Sequence, residues 1–414
     1  MSLSARRELT RVTRQRYNSS SRPEKARLLD TFVESTGYHR KYAITLLSQS
    51  PPPATKAGKP AATGKRKRRY DPPVEQALVS LWKESSRLCG KRLIPFLPEF
   101  IDALERHGEL TLDPGVREKL LGVSAATCDR LLAAHRRASP VYGKSTTKPV
   151  TLLKHQIPIR TFADWSESEK RPGFCEIDLV AHCGGSTAGE YLHTLTVTDV
   201  FTGWTECQSI LNRSQLSVSD AIEAVRNRLP FALLGIDSDN GSEFISVNCA
   251  ANHLNANLLR YCKDQRITFT RCRPYKKNDQ CHVEQKNWAV VRRLVGYSRM
   301  EGEALLHRIS RVYLRYRLFL NYFQPSLKLI GKERNGARVT KTYDTAQTPY
   351  RRLLGWLEAQ GDDTLESRIL LAAIHRKLNP ADLRRQIEAA GTALVEHCIQ
   401  AQSERFAGRL ECVK

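Results

Sequence analysis

The sequence predicts an α/β fold, a mixed five-stranded sheet flanked by helices and preceded by all-α helix-turn-helix units. Three observations predict it. Residues 1–140 place apolar side chains at helical spacing between short turns. Near Arg171 the texture changes to the period-two alternation of strands, and from there on strand patterns interleave with amphipathic helices.

Composition bounds the partners. The chain has 414 residues, 41% of them hydrophobic, which is enough for several domains with a real core. Sixty-six Lys and Arg against 43 Asp and Glu leave a formal charge of +23, which calls for a polyanionic partner or a very acidic surface, with nucleic acid as the leading candidate. Runs of about 18 apolar residues are absent and MSLSARRELTRVTRQRY lacks a signal peptide's apolar stretch, so a soluble, cytoplasmic chain without membrane contact is expected. The 11 cysteines form no CxxC, and Cys183 beside His182 has no second pair at finger-like spacing, so reduced thiols and no structural zinc are expected.

Within residues 1–50, SSRPEKARLLDTFVESTGYHRKYAITLLSQS reads as a helix carrying Ala26, Leu29, Phe32 and Val33, a break at Gly37, and a second helix with Ala43, Ile44 and Leu47. The second helix opens on residues suited to phosphates and base edges, with Tyr38, Arg40 and Lys41 as candidate DNA contacts. Residues 51–70 form a Pro- and Ala-rich linker ending in KRKRR, where Arg66 and Arg68 are suited to tracking DNA. Residues 71–140 are expected to form a second helical, helix-turn-helix-like DNA-binding domain, in which LLGVSAATCDRLL again has the pattern, with Ser124 as N-cap. A looser linker, 141–170, follows.

Residues 171–300 carry the strands. FCEIDLVAHCGG and EYLHTLTVTDVFTGWTECQSIL read as three strands in an antiparallel meander, the last two joined at Thr202 and Gly203. SVSDAIEAVRNRL is an amphipathic helix, FALLGIDSD an apolar strand, RITFTRC a short strand, and NDQCHVEQKNWAVVRRLVGY a helix. Three strands, helix, strand, helix, strand, helix is the order of a ribonuclease-H-like fold. Residues 301–414 are basic and then helical, with Pro380 starting the last helix, and suit DNA binding or assembly.

An acid inside a strand needs a reason. Asp178 lies in the first strand, where Glu176, Asp178, Val180 and His182 share one side. Asp237 and Asp239 come at the end of FALLGIDSD, where strand ends present functional groups. Glu284 borders the apolar stripe of Val283, Val290, Val291 and Leu294 and so can face the sheet. Carboxylates from two strands and a helix can hold two divalent ions, and hard oxygen ligands select Mg²⁺ or Mn²⁺. Such ions serve in-line phosphoryl displacement by a water or a 3′-hydroxyl.

EIDLVAHCGG, GIDSDNGSEF and RPYKKNDQCHVEQKNWAVVRRLVGY together resemble the integrase core of DDE-type bacterial insertion-sequence transposases, the group related to retroviral integrases. YDTAQTPYRRLL resembles the segment that follows the core in such proteins. The resemblance implies Asp178, Asp239 and Glu284 as catalytic metal ligands, with Asp237 two positions early and near the metals. Asp239 and Glu284 are 45 residues apart, wider than the family's usual spacing, the extra residues falling around ANHLNANLLRYCKD. Glu243 suits a helix start and Asp199 a turn. His182 is placed as an orienting or DNA-touching group, or a structural histidine. Lys276, Lys277, Lys286, Arg292 and Arg293 flank Glu284 and suit donor-end phosphates.

The resemblance implies a transposase that binds an element's terminal repeats, cleaves there and joins 3′-hydroxyls to target DNA as an oligomer on DNA. A catalytically silent DNA-binding regulator and a hydrolysis-only nuclease are the alternatives.

Overall fold

The computed structural model describes residues 3–48, 70–137, 159–160, 170–238, 256–272, 281–335 and 338–411. It divides into two compact units, 1–69 and 70–414. Among the described residues no helix is long and apolar enough to cross a membrane.

The first unit is three helices, α1 (Leu3–Ser19), α2 (Arg22–Thr36) and α3 (Arg40–Ser48). Glu24 reaches back to the Ser21 backbone N–H at 2.9 Å and starts α2. Gly37 ends α2 in the left-handed region, φ 68°, a conformation that favours glycine. The sequence pattern foresaw that break but not α1, whose Leu9 and Tyr17 pack against the small core of Leu29, Phe32, Ala43 and Leu47. Tyr38 is half-buried: its ring packs on Phe32 and Tyr42, with Arg6 over it at 5.4 Å. Arg40 pairs with Asp30, while Lys41 is exposed.

The second unit opens with α4 (Pro72–Glu84), α5 (Gly90–Arg106), α6 (Pro114–Leu121), α7 (Ala125–Leu131) and α8 (Ala133–Arg137). Ser124 caps α7 by accepting the Thr127 N–H at 3.2 Å, as expected from the sequence. Leu78, Leu93, Phe100 and Leu120 of these helices share one hydrophobic cluster with Phe319, Phe323, Leu353 and Leu357. The helical segment 71–140 therefore has its core in common with residues 301–414.

The sheet is mixed, in the order β1–β6–β5–β2–β3–β4. Its strands are β1 (Ile159–Arg160), β2 (Phe174–Ala181), β3 (His193–Asp199), β4 (Thr205–Ile210), β5 (Gly235–Ser238) and β6 (Thr268–Cys272). β2, β3 and β4 form the expected antiparallel meander, and β5 and β6 join β2 in parallel. To these five strands the structure adds β1, a two-residue strand parallel to β6 at the edge. Asp199 makes the β3–β4 turn, accepting the N–H of Thr202 at 2.6 Å and of Gly173 at 2.8 Å. A Cβ on Gly235 would lie 2.4 Å from the Phe174 ring on the paired strand, so only glycine fits there.

One face of the sheet is apolar: Cys175, Ile177, Leu195, Val197 and Ile236 pack on Val218, Ile222 and Val225 of α9 (Gln215–Arg226). Behind β6 runs α10 (Ala256–Asp264). The other face meets α11 (Cys281–Lys286), which continues through a π-helical turn Asn287–Arg292 and a last α-turn Arg293–Val295. There Val180, Val291, Val295, Leu305, Ile309, Val312 and Leu394 make a cluster with α12 (Gly302–Phe323). Polar groups are buried within this face. His182 is fully buried, its Nε2 2.7 Å from Thr194 Oγ1, which is 2.8 Å from the Tyr313 hydroxyl. His182 therefore serves this internal network and does not face DNA.

After α12, β7 (Leu329–Asn335) and β8 (Arg338–Tyr343) form an antiparallel pair that the sequence pattern did not suggest. The helices α13 (Pro349–Ala359), α14 (Leu365–Lys377) and α15 (Pro380–Glu411) follow. Asn379 starts α15 at Pro380, as expected, by accepting the N–H groups of Ala381 and Asp382.

Burial pulls His182 down to about 3 and His193 down to about 4, Arg213 adding to the second. Each binds fewer protons folded than unfolded between that value and about 6.5. Stability is therefore lost as pH falls from about 6.5 towards 4, at roughly 1.4 kcal/mol per histidine and pH unit. Urea unfolding at pH 7 and pH 5 measures this, and a His182→Gln variant should show the smaller loss.

Candidate active site

β2 carries the first part of the site because its outward and inward positions alternate. Glu176 and Asp178 point to the α11 side while Cys175 and Ile177 fill the apolar core. Parallel pairing sets Glu176 opposite Asp237 of β5, so the two acids share a face. Asp237 is 2% exposed and accepts the Thr270 hydroxyl at 2.6 Å from its other neighbour, β6.

Glu176 is 1% exposed, and one of its carboxylate oxygens, Oε2, accepts the backbone N–H of His282 and of Val283, both at 2.9 Å. These are among the N–H groups a helix start leaves without an intrahelical partner. Glu176 thus fixes the start of α11 on β2, immediately before Glu284. Its other oxygen, Oε1, is buried without a hydrogen-bond partner. Burial pushes the Glu176 carboxyl up to about 8; the Val283 N–H opposes this, and the negative charges of Asp237 and Glu284 add to it.

Glu284 is exposed in the first turn of α11. Asn287, three residues on and so on the same helix face, donates its side-chain N–H to Asp178 Oδ2. Asp178 Oδ1 accepts the N–H of Leu179 at 2.7 Å. Asn287 stands at the junction where α11 passes into the π-helical turn, a feature frequent at functional sites.

The structure thus brings Asp178, Glu176, Asp237 and the helix of Glu284 to one face of the sheet. Asp239, Glu243, Lys276, Lys277, Arg66 and Arg68 lie outside the described residues. Among the described residues no three His, Cys, Asp or Glu side chains form a cluster fit for a metal ion. Arg292 is turned inward, donating to the Ala181 carbonyl at 2.8 Å with its guanidinium 4.8 Å from the Tyr297 ring centre. Lys286 lies on the flank of α11 beside Arg92 and lines a cavity there. Sequence reasoning missed Asn287, whose spacing from Glu284 was the available signal, and the capping by Glu176, which had none.

An integrase core domain model matches residues 168–277, a span that contains Asp178 and Asp239 and ends before Glu284. The uncharacterized protein y4rM of Sinorhizobium fredii (strain NBRC 101917 / NGR234) is 43% identical over 354 residues, covering 85% of this chain and 96% of y4rM. Among solved structures, the catalytic core domain of BIV integrase is 19% identical and covers 46% of this chain and 99% of its own, with a TM-score of 0.26. The HTLV-2 integrase catalytic core domain in complex with magnesium is 16% identical and covers 38% and 91%, with a TM-score of 0.27.

Glu176→Ala leaves two backbone N–H groups at the start of α11 without their acceptor, at a cost of roughly 2–4 kcal/mol. Glu176→Gln keeps an acceptor oxygen and should lose less than half as much in urea unfolding. Equal losses would contradict the capping role.

Proposed function

The chain belongs to the family that includes y4rM and carries an integrase core domain, and from that premise we propose that it is a DNA transposase. In this reading the helical units bind the terminal repeats of a mobile element, and the core cleaves at the ends and joins 3′-hydroxyls to target DNA. The observation that carries it is the bond from Asn287 to Asp178, which aligns the helix of Glu284 with the acid-bearing strand. The chain runs on from Ser238, paired with Ile177, directly into Asp239.

Asp178, Asp239 and Glu284 would hold two Mg²⁺ or Mn²⁺ ions. The donor set fits: all are hard carboxylate oxygens, and the like charges of Asp237 and Glu284 bear on the buried Glu176. Divalent ions there would supply activation of a water or 3′-hydroxyl and stabilisation of the leaving oxygen. The chain's own residues do the positioning. Asn287 orients Asp178, Glu176 holds the start of α11, and Asp237 adds negative charge beside them.

Lys41 on α3, Arg66 and Arg68 in the linker, and Lys276, Lys277 and Lys286 near Glu284 would contribute phosphate contacts and a salt-dependent affinity. Tyr38, Arg40 and Arg292 have internal partners and would support the contact surfaces around them. Acting on two ends at once calls for a homo-oligomer on DNA, and a cytoplasmic location is part of the same reading.

Supercoiled plasmid mixed with labelled element ends and Mg²⁺ tests the reading. Wild type should cleave and join; Asp239→Asn and Glu284→Gln should each lower joining at least a hundredfold, and Asp237→Asn should cost less than Asp239→Asn. Cleavage without joining would mean a nuclease, and undiminished joining by both triad variants would overturn the site.

A further inference from the structure

Beside α11 lies a cavity of about 770 Å³, bounded by the end of α4, the start of α5, the flank of α11 away from Glu284, and parts of α12 and α15. Six cations line it, Lys83, Arg87, Arg92, Lys286, Arg293 and Arg384, of which Arg384 is taken up by Glu84 and Glu388. Among the described residues none of the other five forms an ion pair. Arg87 lies over the Trp82 ring at 5.8 Å, Arg92 Nε donates to the Pro325 carbonyl at 2.6 Å, and Arg293 donates to the Ser86 carbonyl at 3.2 Å.

The acids in the lining are already used. Arg384 grips Glu84 through Nε and Nη2 at 2.8 and 3.0 Å and also binds Glu388. The Arg92 guanidinium is held below its usual range by burial, and the like charge of Arg293 adds to that. Like charges gathered in a partly closed cavity repel each other and attract an anion.

Spacing favours a chain of phosphates over one. Lys286 and Arg293 are seven positions apart on one helix, well over one turn along its axis. Lys83 at the end of α4, Arg87 in the turn and Arg92 at the start of α5 line the same cavity. One phosphate group cannot reach both ends of that row, whereas successive phosphates of a strand can.

We propose that this cavity is a binding groove for the phosphodiester backbone of a DNA strand, walled by the helical block 71–140 on one side and the helix of Glu284 on the other. The proposal rests on the reading of the chain as a DNA-processing enzyme. It gives the helical block a part in holding the strand next to the catalytic helix, in addition to any recognition of terminal repeats. α11 then has two working faces, an acid face towards β2 and a cation face towards the strand.

Fluorescence anisotropy of the full chain with labelled single- and double-stranded oligonucleotides over a salt series tests the groove. The triple variant Lys83→Ala, Arg87→Ala, Arg293→Ala changes only exposed side chains. It should bind DNA at least tenfold more weakly and lower the slope of log affinity against log salt by about 2 to 3. Charge reversal by Lys83→Glu alone should weaken binding with an unchanged thermal midpoint. An unchanged affinity and slope in the folded triple variant would overturn the groove, as would inorganic phosphate at millimolar concentration displacing DNA completely, which marks a small-anion site. Wild-type binding with the expected slope but no joining in the plasmid assay would sink the transposase reading alone.

Discussion

The site depends on one carboxylate buried between a strand and a helix. Glu176 accepts the first N–H groups of α11 and so fixes where Glu284 begins its turn relative to Asp178. Burying an acid is costly unless hydrogen bonds satisfy it. Here the helix N-terminus supplies two N–H groups and the favourable end of its dipole. From that anchor the other relations follow: Asn287 reaches Asp178, and the next turn lays Val290 and Val291 into the core.

Around the anchor, the two faces of the sheet are built on different physics. The α9 face is apolar and holds the sheet together by burial. On the α11 face, acids and threonines stand among aliphatic residues, and each polar group needs a partner. The row His182, Thr194, Tyr313 meets that need at His182 Nε2, Thr194 and Tyr313, while His182 Nδ1 stays buried without a hydrogen-bond partner. Nearer to α11, burial and then the negative charges of Asp237 and Glu284 push the Glu176 carboxyl up to about 8, and divalent cations there would oppose that push. On the far flank of the same helix, Lys286 and Arg293 form no ion pair among the described residues, and in the proposed groove a strand of DNA would balance their charge.

Local pattern made much of this legible. The switch from helical to strand periodicity at Arg171, the break at Gly37, the cap at Ser124, the turn at Asp199 and the strand position of Asp178 all depend on a few neighbouring residues, and the structure has them there. What escaped the pattern depends on distant residues. Glu176 and the N–H groups it accepts are over 100 residues apart in the chain, as are Asn287 and Asp178. The same holds for the shared core of Leu93 and Phe319, for Glu206, buried and gripped by Arg317, and for β1 at the edge of β6. α1, β7 and β8 were missed for a different reason: strongly charged stretches such as LSARRELTRVTRQRYNS and LIGKERN carry few apolar residues from which a pattern could be read.

Iron-directed cleavage tests the central claim most directly. Fe²⁺ bound in place of Mg²⁺, with ascorbate and peroxide, cuts the backbone beside the residues that hold it, and fragment masses locate the cuts. The account predicts cuts near Asp178, Asp239 and Glu284 in the wild type, suppressed by excess Mg²⁺ and lost together in Asp239→Asn. Cuts confined to other segments, or unchanged in Asp239→Asn, would contradict it.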